Sequence, residues 1–203
     1  MQNYMMEGIG KISGGEFNSI TIKGVGTCSS SIKAENIQIE GVFNCSGEVI
    51  AGVLDCEGVA NFKSSIRAKK IIIGGVLNEH DGTKIEAEEI ICDGVLKTGG
   101  EISADYFKAD GCVVAEEIVG DQIIIDFHYN KHIMNFFKKK VSDVRLIEAT
   151  KIALSGVTAE TVNGSDITIG PNCKIENIDC SGFLSIDRSS TVKNITGNYT
   201  MRD

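Results

Sequence analysis

Three histidines, His80, His128 and His132, and seven cysteines are the side chains of this sequence with the richest potential chemistry. His128 and His132 stand four apart, a spacing that sets two imidazoles on one side of a helix as metal ligands. No His-Glu-x-x-His string accompanies them, and His80 lies in the polar stretch Asn78-Glu79-His80-Asp81-Gly82-Thr83. The expectation is therefore loop histidines and no metal. No Cys-x-x-Cys pair occurs, which removes the usual zinc knuckle. Acid pairs such as Glu88 with Glu89 and Glu116 with Glu117 are chain neighbours, and neighbours on a strand point to opposite faces. They serve better to solubilise a surface than to share a proton. The nucleophile-elbow, P-loop and dinucleotide glycine patterns are absent, so no catalytic or cofactor-binding residue is assigned.

The elements that would carry these residues are set by a beat. Glycines 24, 41, 58 and 75 are spaced 17 apart, and the interval resumes from Gly94 to Gly111 after one step of 19. Apolar residues keep fixed offsets within it. Ile32, Ala34, Ile37, Ile39, Phe43 and Cys45 form one unit, and Val49, Ala51, Leu54, Cys56, Ala60 and Phe62 form the next. Pairs two apart share one face of a strand, so each unit reads as three short strands with their apolar sides turned inward. Helices fail because Gly, Asn, Asp or Ser interrupts every five or six residues and Ile and Val dominate. A flat parallel sheet fails because no unit has room for a crossover helix.

The expected fold is all-β: a triangular parallel β-helix of ~17 residues per turn and about ten turns, each burying its inward side chains against the next. Glycine at the recurring corner answers either to a positive φ or to a close backbone approach. The small residue shared by Ala34, Ala51, Ala68, Ala87 and Ala104 marks a narrow corner of the prism. Aromatics at 6%, no Trp and 23 Gly fit a thin interior.

One body with an interruption follows: turns over 1–127, a loop or short amphipathic helix over 128–146, and further turns of the same body over 147–203. Ile133, Phe137, Val141 and Val144 have helix-like spacing. The same segment holds Phe136, Phe137, Lys138, Lys139 and Lys140, a candidate contact with a partner or a membrane surface, too small to anchor stably. No apolar run is long enough for a span and no signal-like stretch opens the chain, so the expected location is cytoplasmic, with weak contact at the inner face of the membrane as an option. A net charge of −8 argues against nucleic acid. Cys28, Cys45, Cys56, Cys92, Cys173 and Cys180 occupy inward offsets as small hydrophobes. Cys112 falls one place before the inward Val113 and is expected to face solvent and react first with a thiol reagent.

The glycine-punctuated turns, together with Val162-Asn163-Gly164-Ser165-Asp166-Ile167-Thr168-Ile169-Gly170-Pro171-Asn172-Cys173-Lys174-Ile175, resemble the bactofilins, the polymer-forming cytoskeletal proteins of bacteria. Ile118-Val119-Gly120-Asp121-Gln122-Ile123-Ile124-Ile125, after Ala115-Glu116-Glu117, is similar to a phrase of longer firmicute-type members. The resemblance implies a right-handed coil that assembles end to end without nucleotide into nonpolar filaments. Its partners would be other copies of the chain and envelope or motility proteins, in support of cell shape, motility or the envelope. Spacing by itself is silent on handedness.

Each end of such a coil exposes unpaired strand edges and an apolar cross-section, so the candidate assembly residues are Phe17, Ile20 and Ile22 at one end and Val192, Ile195 and Tyr199 at the other. Two other classes compete. A non-polymerising adaptor would use exposed β-branched rows, whereas the outward positions read mainly as Lys, Glu, Asp, Asn and Ser. An acyltransferase-like or carbonic-anhydrase-like enzyme would repeat in strict hexapeptides, which the present five- and six-residue divisions only approximate.

Overall fold

The computed structural model describes residues 2–80, 82–126 and 142–202. All secondary structure among them is β, in one parallel sheet of 19 strands coiled on itself. The first turn consists of β1 (Gln2–Met6) and β2 (Ile9–Ile12). Long and short strands then alternate: β3 (Gly15–Ile22) and β4 (Val25–Cys28), β5 (Ile32–Ile39) and β6 (Val42–Cys45), β7 (Val49–Cys56) and β8 (Val59–Phe62). Next come β9 (Ile66–Ile73) and β10 (Val76–Glu79), β11 (Ile85–Cys92) and β12 (Val95–Lys97), and β13 (Glu101–Ala109). From there each short strand fuses with the following long one, giving β14 (Cys112–Asp126), β15 (Ser142–Ser155), β16 (Val157–Ile169) and β17 (Lys174–Ile186). The last turn is β18 (Thr191–Thr196) and β19 (Thr200–Met201).

The fusion has a local cause. Ser46-Gly47-Glu48 separates the inward Cys45 from Val49, whereas only Glu116-Glu117 separates Ala115 from Ile118. One residue fewer leaves no room for a separate corner, and the strand runs through it.

Inward residues stack as continuous rows. One runs from Tyr4 through Ile20, Ile37, Leu54, Ile71, Ile90, Phe107, Ile123, Ile152, Ile167 and Leu184 to Met201, about 11 turns in all. The turn beyond the expected ten is that of β1 and β2. The small-residue row is also present. Ala34, Ala51, Ala68, Ala87 and Ala104 are in register and continue into Gly120, Ala149 and Gly164. The pairing skips the next residue (Glu35 against Gly52), and there the long strand bends. That is the narrow corner the small side chains fit.

The recurring corner glycine is explained by crowding and not by φ. None of Gly24, Gly41, Gly58, Gly75, Gly94 and Gly111 adopts a positive φ. A Cβ added to Gly58 would lie 2.0 Å from the carbonyl oxygen of Gly41 in the turn below, and the later members of the row repeat that distance. The same carbonyl accepts the N–H of Val59 at 2.8 Å, so the corner is nested against a backbone that it also bonds.

Among the described residues the interior is apolar with three exceptions: Glu79, Thr98 and Ser142 are buried. Glu79 stands where the row Ile12, Cys28, Cys45, Phe62 calls for an apolar residue. Its carboxylate accepts the hydroxyls of Thr98 at 2.8 Å and Thr83 at 3.1 Å, and Thr98 Oγ1 in turn accepts the N–H of Gly100. This network ties down the corner whose two extra residues produce the 19-residue step. Ser142 Oγ accepts the N–H of Val113 at 3.1 Å, satisfying a buried donor where β14 and β15 stack.

The ladder passes the interruption without a break. β14 pairs with β15 from Val114–Asp143 to Asp126–Ser155, so the two strands that flank residues 127–141 in the sequence are neighbours in the stack. Residues 142–146, expected within the interruption, belong to β15, and Val144 is core. His128, His132, Ile133 and Phe136 to Lys140 lie outside the described residues.

Cross-turn ion pairs cover the outside, among them Lys33 with Glu16, Arg67 between Glu48 and Glu86, and Lys70 with Glu89 at 2.8 Å. All are at least partly exposed and each contributes at most about 1 kcal/mol, so they favour the register more than they hold the fold.

Candidate assembly surfaces

The two ends of the stack differ. At the first end the open edge is β1, which pairs only with β3. Phe17, Ile20 and Ile22 are consequently buried beneath Gln2, Tyr4 and Met6 and are not the end coil. The signal for the missed turn was in the sequence: Gly8 and Ile9 hold the positions of Gly24 and Val25 one turn earlier. Met5 and Ile9 are exposed there, Ile9 by 90%, and the Asn18 amide donates to Asn3 Oδ1 at 2.9 Å.

At the other end Val192 and Ile195 are half-buried, packed against the core from one side only. Tyr199 and Met201 are exposed. Phe183 is exposed as well, with the Arg202 guanidinium 3.6 Å above its ring. Asn194 donates to Asn177 Oδ1 at 2.9 Å, so an amide hydrogen bond joins the last two turns as Asn18 and Asn3 join the first two. Of the six expected assembly residues, three sit on an open end and three sit one turn inside.

A third surface lies along the side. Val25, Val42, Val59, Val76 and Val95 occupy one outward position on β4, β6, β8, β10 and β12, each paired to the next. This β-branched row corrects the reading of an exterior made mainly of charges and amides. It was hidden because a valine next to the corner glycine is indistinguishable, in a period count, from the start of an inward pair.

All seven cysteines are buried, Cys112 included at 6% exposure. Cys112 continues the outward valine row after Val95, whose inner members half-cover one another. Being smaller than valine, it lies within the row and not above it. Several thiols donate to carbonyls at the corners, Cys28 to Ser30 O at 3.1 Å and Cys45 to Gly47 O at 3.4 Å, which suits cysteine to strand ends. Burial pushes the thiol of Cys56 up to about 11 and those of Cys45 and Cys92 up to about 12.

Two outcomes follow for the thiols. Native protein should leave its cysteines unlabelled by a maleimide at mildly alkaline pH, while denatured protein labels all seven; fast native labelling of Cys45, Cys56 or Cys92 would disprove the inward register. Stability should also fall as pH rises. Unfolded thiols ionise near 9.0 while the folded ones hold their protons to about 12, so the unfolded state gains across that window, and the melting temperature should drop through it.

His80 Nε2 lies 3.4 Å from Asn61 Oδ1 on the surface. Among the described residues no group of three or more His, Cys, Asp or Glu side chains converges as a metal site. No helix of the described residues is long and apolar enough to cross a membrane.

Comparison with known proteins defines the class no further than the fold does: the chain is a β-solenoid. A stretch of 64 residues is 34% identical to an uncharacterized protein, YhbE, of Bacillus subtilis (strain 168). The match covers 32% of this chain and 27% of that protein, so the chain spans about a quarter of the relative's length. No family model matches the sequence, and no solved structure matches it.

Proposed function

We propose that this β-solenoid is a bactofilin-like, non-catalytic scaffold of the bacterial cytoplasm that self-assembles end to end and supports cell shape, motility or envelope machinery. The observation that carries the reading is the pair of open edges on an otherwise unbroken ladder. Among the described residues β1 and β18 each pair on one side only, and each borders partly covered apolar side chains. An exposed edge of this kind is a template for another strand. Another copy supplies the same inward rows, so stacking continues them.

The test is an end variant. Wild-type protein should form elongated particles in negative stain and sediment well above the mass of one chain. Ile195→Lys, which sets a charge on the open cross-section, should reduce sedimentation to that of single or laterally paired chains with an unchanged far-UV spectrum. Wild-type protein that stays compact at every concentration and salt, or an Ile195→Lys chain that sediments as wild type does, would remove end-to-end assembly.

A further inference from the structure

The side of the solenoid carries a second surface that end-to-end stacking does not use. Its outward valines, from Val25 to Val95, form a straight row of about 20 Å at the parallel-strand spacing of ~4.8 Å. They alternate with no charged residue, and Ile9, in register with Val25, prolongs them toward the first end. A row of teeth at that period is matched at every tooth only by a surface with the same period, as in the dry interfaces between stacked sheets. A second copy of this chain has it.

The flanks decide how that copy lies. On the corner side of the row stand the exposed acids Glu40, Glu57 and Asp93, with Lys23 beside Val25 and Glu7 beside Ile9; on the other side, at the same heights, stand Asn44, Asn61 and Lys97, with Thr27 and Lys11. Suppose two copies face each other through the valines and point the same way, with the two-fold axis along the solenoid. Asp93 of one then lies over Lys97 of the other, and Glu40 and Glu57 lie over the amides of Asn44 and Asn61. If the copies point in opposite directions with Ile9 and the valines fully overlapped, Glu7 of one faces Asp93 of the other and Glu40 faces Glu57. Opposed charges give attraction and like charges exclude the wrong register.

We infer that two copies pair side by side through the valine row, in parallel, as a two-fold lateral dimer. A strip about 20 Å long and one side chain wide is smaller than the ~800 Å² per partner of a standard interface, so a single pair is weak. Along a polymer many such strips act together and the pairing strengthens by effective concentration.

The test is made in the Ile195→Lys chain, where end contacts are removed, so that loss of lateral pairing and loss of end-to-end assembly are read separately. Sedimentation equilibrium from 1 to 200 μM should show a monomer–dimer equilibrium. Val59→Lys with Val76→Lys, both outward and therefore compatible with folding, should weaken it at least tenfold at an unchanged melting temperature. Orientation is read with a short bismaleimide. Val42→Cys and Val95→Cys chains should each cross-link to their own kind, against a parent whose buried thiols do not react. Three results would overturn the proposal: a monomer throughout, a dimer indifferent to the two lysines, or cross-links formed between Val42→Cys and Val95→Cys chains in a mixture and not within each alone.

Discussion

Ile71→Asp is expected to leave no cooperatively folded protein. Ile71 is fully buried, stacked between Leu54 and Ile90 in the row that runs the length of the coil. Removing it forfeits about 1.5–3 kcal/mol of apolar burial. An unpaired carboxylate in its place adds several kcal/mol more. Together these approach the ~5–15 kcal/mol by which whole domains are stable. Because each turn contacts only its neighbours, the lost layer also separates the turns below from those above. The adjacent residue provides the control. Ile72 points outward beside Asp55, so Ile72→Lys should melt like the parent. A cooperative melt in Ile71→Asp, or loss of folding in Ile72→Lys, would invert the assigned faces.

The second large effect is expected at a glycine. Gly58→Ala places a methyl group 2.0 Å from the carbonyl oxygen of Gly41 and 2.6 Å from that of Glu40. Both obstacles are backbone, so no rotamer change relieves them. Opening the corner instead would stretch the bonds from Gly58 N to Ile39 O and from Val59 N to Gly41 O, each 2.8 Å. A loss of about 3 kcal/mol or more is expected, at the upper end for a single substitution. Gly74→Ala is the matched comparison. No atom lies within 4 Å of its added Cβ and its φ is not positive. There alanine should be neutral or add ~0.5 kcal/mol by restricting the unfolded chain. Denaturant melts of the two variants distinguish crowding from conformational preference: if both lose the same stability, or neither does, the nested corner is not the reason for glycine.

The rows from Ile32 to Val113 were legible in the sequence because the inward places other than Glu79 and Thr98 hold residues that an apolar interior explains, and because 17-residue steps repeat them. Glu79 was not. Its offset from Phe62 marks it as inward, but a carboxylate reads as surface until the hydroxyls of Thr83 and Thr98, four and nineteen residues away, are seen to close around it. The first turn escaped because its steps differ from the rest and because, beside the core residues Met6 and Ile12, its inward places hold Gln2, Tyr4 and Gly10, which carry little hydrophobic signal. That omission moved the expected end contacts one turn too deep. Cys112 shows the reverse limit. Offset predicts which way a side chain points, whereas exposure depends also on how tall its neighbours are.

The unbroken register of β14 with β15 carries a practical consequence. The two strands pair along Val114–Asp126 and Asp143–Ser155, so their stacking does not depend on how much polypeptide joins them; for a flexible connection, each doubling of length costs only ~0.6 kcal/mol. The junction of β14 with β15 is thus a socket for cargo. A reporter domain or an epitope could be grafted at that address midway along the rod, leaving both tips vacant.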